Sequence, residues 1–115
     1  MRLSSLLLYA ISFLICTNQL LGQIKIHAHN DYQQAVPFWQ ALSFECASIE
    51  VDLILRGDTL FVAHEEESIK AVNTFDNLYL QPIQRAIDLD LIKRPFALLI
   101  DLKTDAIPTL DQVIT

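Results

Sequence analysis

The chain has 115 residues, 52% of them hydrophobic, and a formal net charge of −6. That acidity, without a basic stripe or interleaved aromatic and basic residues, argues against nucleic acid as a partner. The two cysteines are Cys16 and Cys46. Only Cys46 lies beyond the leader described next, so an internal disulfide and a cysteine-built zinc cluster are both excluded.

Residues 1–22 begin with Arg2 and run apolar from Leu6 to Cys16. A polar break at Thr17, Asn18 and Gln19 follows, and Gly22 offers a small residue for cleavage. This is the pattern of a secretory signal peptide. The apolar run is shorter than the ~20 residues that span a bilayer, although a retained N-terminal anchor is the alternative. Cleavage after Gly22 would leave residues 23–115 with seven basic and fourteen acidic side chains, exported to the periplasm or beyond the cell.

Residues 24–29 alternate apolar and polar side chains, as a first strand does. Pro37 suits the first turn of a helix whose buried stripe would be Phe38, Trp39, Ala41, Leu42 and Cys46. Residues 47–55 (ASIEVDLIL) form a β-branched run interrupted by carboxylates, a second strand. Arg56, Gly57 and Asp58 make a turn into a short return strand over 59–63. Helical spacing through Leu80, Ile83, Ile87 and Leu91 predicts a helix over 78–91. Residues 96–102 (FALLIDL) are nearly continuous in apolar character, predicting a strand buried on both faces. Pro108 opens a last helix through Ile114. Strands alternating with helices specify an α/β chain with a parallel sheet, open or closed. A closed (β/α)8 barrel of the TIM type needs ~250 residues, so this chain would supply about three of its βα units. The reading is therefore a signal peptide at 1–22 and, at 23–115, the N-terminal portion of a longer domain.

Polar residues gather at the carboxyl ends of these strands. His27, His29, Asn30 and Asp31 close the first, and His64 and Glu65 follow the return strand. Glu50 and Asp52 stand two apart in the second strand and so share one of its faces. Asp101 and Lys103 repeat that spacing at the end of the third. Burying a carboxylate among apolar residues costs several kcal/mol, to order of magnitude, unless a cation or partner compensates. Glu50, Asp52 and Asp101 converging on one face therefore point to a metal, and all-oxygen ligation selects a hard ion, Mg²⁺ or Ca²⁺. Each piece has an ordinary explanation. A lone histidine such as His64 is more often simply hydrogen-bonded, Asp-x-Lys is usually a salt bridge, and residues 65–67 read as a solvated acidic turn. Their occurrence together is the informative feature.

The segments HAHNDYQQAVPFWQAL, SIEVDLIL, LFVAHE and LLIDLK, in that order, resemble the phosphatidylinositol-specific phospholipase C-like phosphodiesterase superfamily. That superfamily includes glycerophosphodiester phosphodiesterases and sphingomyelinase D-type enzymes. The opening H-x-H-N-D-Y is most similar to its "altered inheritance of mitochondria" branch. The resemblance spans about residues 24–105 and implies a TIM-type barrel hydrolysing glycerophosphodiesters or phospholipid headgroups with two histidines. It makes Glu50, Asp52 and Asp101 the metal ligands and places Lys103 near metal and phosphate. The aspartate at 101 follows the sphingomyelinase D type. His64 matches the second catalytic histidine, with Glu65 where an aspartate is common. The usual His-Arg-Gly is absent, so either His27 or His29 takes the first histidine's role, and the spacing of His27 to Asn30 favours His27.

The rival reading is an amidohydrolase-type or polymerase-histidinol-phosphatase-like barrel, in which both histidines of H-x-H bind zinc. A non-enzymatic product of an incomplete barrel is the other.

Overall fold

The computed structural model describes residues 24–115, and the signal peptide read at 1–22 lies outside them. The elements are β1 (His27–Ala28), α1 (Trp39–Ser43), β2 (Ser48–Arg56), β3 (Thr59–Val62), α2 (Gln81–Asp88), β4 (Ala97–Leu102) and α3 (Ala106–Ile114). The chain is thus α/β with a sheet of mostly parallel strands. β2 is its centre: β1 and β4 pair with it in parallel and β3 antiparallel. Ser48 and Ile49 pair with both β1 and β4, and Leu53 pairs with both β4 and β3. β1 and β3 therefore lie end to end along one edge of β2, with β4 along the other.

Side-chain alternation divides the sheet into two unlike faces. Ile49, Val51 and Leu53 point to the covered face, where they pack with Phe38, Ala41, Val62, Phe75, Tyr79 and Ala86. Each large apolar side chain buried here contributes roughly 1.5–3 kcal/mol. Ser48, Glu50 and Asp52 point the other way, aligned with Ala97, Leu99 and Asp101 of β4. A one-residue slip would exchange the two sets, so burial of the aliphatic set fixes the carboxylates on the opposite face.

Four expectations are corrected. The first strand pairs only at His27–Ala28: the Ile26 carbonyl still accepts from the Ala47 N–H at 2.8 Å, but the exposed Ile24 and Ile26 bury too little apolar surface to extend it. α1 is shorter than its apolar stripe: Phe38 precedes it with φ 62°, an unusual conformation for a bulky side chain. The helix over 78–91 is instead a π-helical turn at Asp76–Leu80 leading into α2. Pro82 has no N–H to give the Leu78 carbonyl, and Gln81 donates one residue further back, to Asp76. The wider turn rotates the stripe, burying Tyr79 and Ala86 while Leu80, Ile87 and Leu91 stay exposed. Lastly, β4 is not buried on both faces: Leu99 is 52% exposed, between exposed Ala97 and Asp101. Among the described residues β4 pairs only with β2, and its Leu99 face is left open while the neighbouring end of β2 at Asp52 is covered.

Candidate functional site

The opposite face of β2 carries two centres two residues apart. At the first, Glu50 Oε2 accepts from His27 Nε2 at 3.0 Å and from His29 Nδ1 at 2.9 Å. The other nitrogen of His27 lies 2.7 Å from Ser48 Oγ. Because a carboxylate only accepts, the His27 proton sits on Nε2 and the serine hydroxyl donates to Nδ1. The His27 hydrogen bond, then that of His29, holds the Glu50 carboxyl below the usual glutamate range. This end is open: the side chains of His27 and His29 are 40% and 71% exposed.

The second centre is built on a buried carboxylate. Asp52 is fully buried, and its Oδ2 accepts from the Tyr32 hydroxyl at 2.7 Å and from His64 Nδ1 at 2.8 Å. Lys103 Nζ lies 3.5 Å from the same oxygen and donates to Asp101 Oδ2 at 2.7 Å. The Asp101 hydrogen bond is the main cause of a Lys103 pKa above the ordinary lysine value. With Nδ1–H committed to Asp52, His64 presents Nε2, and its side chain is 55% exposed. Asp52 Oδ1 is buried without a hydrogen-bond partner.

Local sequence builds both centres. β2 positions Glu50 and Asp52, and the parallel register sets Asp101 beside Asp52. The Lys103 N–H donates to the Leu53 carbonyl at 2.9 Å, continuing that ladder and holding the lysine at the strand's end. β3 returns antiparallel to deliver His64 beside Asp52. After His29 the chain turns through Asn30, in the left-handed region at φ 46°, into a 3-10 turn at Asp31–Gln33. Asn tolerates that conformation better than most residues.

All seven residues singled out from sequence lie on or beside this face: His27, His29, Glu50, Asp52, His64, Asp101 and Lys103. Ligand atoms of Glu50, Asp52 and Asp101 lie within 4.8 Å of one another, as do those of His27, His29 and Glu50. No hydrogen bond joins His64 to His27 or His29; each side meets a different carboxylate. Glu65 stands apart, capping a short turn at Glu66–Ser68. Three contributors escaped the sequence reading. Ser48 was findable, since it stands two before Glu50 and so shares its face. Asp31 and Tyr32 were quoted within the opening motif without a role, because only the folded turn brings Asp31 to Tyr79 and Tyr32 to Asp52.

The sequence model of the AIM6-like phosphodiesterase domain matches residues 17–96. The chain belongs to this family. It thereby falls in the phospholipase C-like phosphodiesterase superfamily, on the branch indicated by H-x-H-N-D-Y. The matched stretch holds His27, His29, Glu50, Asp52 and His64, while Asp101 and Lys103 lie past its end and join through β2–β4 pairing. The "Altered inheritance of mitochondria protein 6 homolog" of Arthroderma benhamiae is 38% identical over 79 residues, covering 64% of this chain and 25% of that protein. "Altered inheritance of mitochondria protein 6" of Eremothecium gossypii is 38% identical over 65 residues, covering 55% of this chain and 17% of its own length. The protein of that name from Saccharomyces cerevisiae S288c is 30% identical over 73 residues, covering 62% and 19%. The chain thus spans a quarter or less of the length of these relatives. No solved structure matches it.

Proposed function

We propose that the protein carrying this chain is a divalent-metal phosphoric diester hydrolase using two-histidine acid–base catalysis on glycerophosphodiesters or phospholipid headgroups. Membership of a phosphodiesterase family supports the reaction class. Metal dependence rests on one observation, the buried, unpartnered Oδ1 of Asp52. An ionised oxygen withdrawn from water without a partner is costly. Glu50, Asp52 and Asp101 against the one ammonium of Lys103 leave two negative charges, which a divalent ion offsets. Oxygen ligands from these three carboxylates suit Mg²⁺ or Ca²⁺. When bound, such an ion offsets charge on the nonbridging phosphate oxygens.

The chain's own groups supply the rest. Lys103 adds a cation beside Asp52 and Asp101, where a phosphodiester anion would approach. His64, its Nδ1–H held by Asp52, exchanges a proton through Nε2. The opposite proton transfer falls to His27 or His29 at the Glu50 end. Imidazole suits both tasks because it titrates near neutrality. We read the sheet as the opening of a (β/α)8 barrel, with the face of Leu99 and Asp101 turned to its interior. Export through the leader at 1–22 is part of the same proposal.

The test is hydrolysis of a glycerophosphodiester by the full-length protein with Mg²⁺, before and after His64→Ala. Loss of a proton-transfer group costs about 10²- to 10⁴-fold in kcat. The variant is expected to fall by that much while keeping its metal, and undiminished turnover would refute the role. One observation favours a second reading: His27, His29 and Glu50 also converge as two nitrogens and one oxygen, a set that suits zinc. Metal analysis separates the two. Bound Zn²⁺ lost on His27→Ala supports a histidine-ligated hydrolase, and Mg²⁺ or Ca²⁺ unaffected by that change supports the diesterase.

A further inference from the structure

The Asn-Asp-Tyr that follows the histidine pair has no role in the mechanism above, yet two of its side chains make some of the shortest contacts near the site. Asp31 points inward and is fully buried. Its Oδ2 accepts from the Phe38 backbone N–H at 2.6 Å and from the Tyr79 hydroxyl at 2.8 Å. Tyr79 is itself fully buried in the π-helical turn, so the 3-10 turn at Asp31–Gln33 is tied to the core. Tyr32, the next residue, is half-buried against the same core, and its hydroxyl meets Asp52 Oδ2.

We propose that Tyr32 is a positioning residue: it orients the Asp52 carboxylate, and through it His64, while Asp31 and Tyr79 hold Tyr32 in place. Asp52 Oδ2 takes two donors, Tyr32 from the turn after β1 and His64 from the end of β3. These are different elements, so the two bonds together set the carboxylate's rotation about its last side-chain torsion. That rotation keeps Oδ2 toward His64 and leaves Oδ1 as the unpartnered oxygen. Without the phenol, only His64 at short range and Lys103 at 3.5 Å would restrain the group. The His64 tautomer that leaves Nε2 free would then be weakly specified. Groups that orient a functional side chain commonly matter about 10- to 100-fold.

This inference rests on the catalytic role proposed for His64, and its experiment has an arm that does not. Tyr32→Phe and Tyr79→Phe are made in the full-length protein with ¹⁵N-labelled histidine. The His64 Nδ1–H resonance is followed, together with thermal unfolding and turnover of bis(p-nitrophenyl) phosphate with Mg²⁺. Tyr32→Phe is expected to lose or broaden that resonance and to lower kcat about tenfold at nearly constant KM, with the unfolding midpoint unchanged. Tyr79→Phe, which keeps the Tyr32 phenol but loosens its turn, is expected to lower the midpoint and to broaden the resonance less than Tyr32→Phe does. A sharp His64 Nδ1–H signal in Tyr32→Phe would overturn the proposal, whatever the turnover. If the resonance is lost while turnover is unchanged, the orienting contact stands and the catalytic role of His64 falls.

Discussion

Glu50 and Asp52 are two residues apart on one strand face, yet they live in different surroundings. Glu50 shares one oxygen between two exposed histidines. Asp52 is fully buried and receives donors from the turn after β1 and from the end of β3. An exposed group can rearrange as a substrate arrives. A buried one fixed from two elements holds its geometry beforehand, which is what electrostatic stabilisation of a reacting anion requires. Asp52 thus suits a fixed charge, while the exposed histidines at both ends suit proton exchange.

Substitutions at both ends can break this contrast. The largest effect is expected for Asp52→Ala, which strips the buried oxygen from the carboxylate cluster and leaves Tyr32 and His64 without their common acceptor. Affinity for Mn²⁺, used as a paramagnetic probe, should fall more than the roughly 10- to 100-fold typical of losing a mere supporting group. Glu50→Ala should also weaken the ion but leave His64 held by Asp52. Equal affinities in both variants and the parent, by titration calorimetry, would dissolve the metal assignment.

A smaller effect is expected at the open end. Ser48→Ala removes the hydroxyl that meets His27 Nδ1, so the ring loses its fixed orientation. If His27 is the working histidine, kcat should drop several-fold, up to about tenfold, and Ser48→Thr should restore it. If His29 is, Ser48→Ala should be nearly silent, and the comparison sharpens to a single residue.

The smallest expected effect is on stability against pH. Glu50 has a folded pKa below its unfolded value, so its contribution is present above the unfolded value and fades as pH falls through the folded one. Acid denaturation of the metal-free protein should therefore begin within the carboxylate range. Glu50→Gln should flatten that part of the curve slightly, since the group is partly exposed. An unchanged acid limb would mean that the two histidine hydrogen bonds contribute nothing in solution.

Much of the fold was legible from residues alone. β2 and β3 were expected within a residue of their observed limits, because an aliphatic run with a glycine turn leaves few alternatives. α2 was misjudged, since leucine spacing marks an amphipathic stripe but not the π-helical turn that Pro82 permits upstream. β4 was misjudged for a different reason: an apolar run reports that a strand can be buried on both faces, not that something covers it.

The site divides in the same way. Residue types and two-residue spacings by themselves determined that Glu50 and Asp52 share a face and that Asp101 and Lys103 repeat the pattern, because strand geometry is local. Only the tertiary structure decided that β4 lies in register beside β2, and that His64 pairs with Asp52 while His27 and His29 pair with Glu50. It alone revealed that Asp31 and Tyr32, neighbours in sequence, serve the core and the site respectively. Hydrogen bonds between residues 12 or more positions apart depend on how separate elements pack, and no local pattern carries that information.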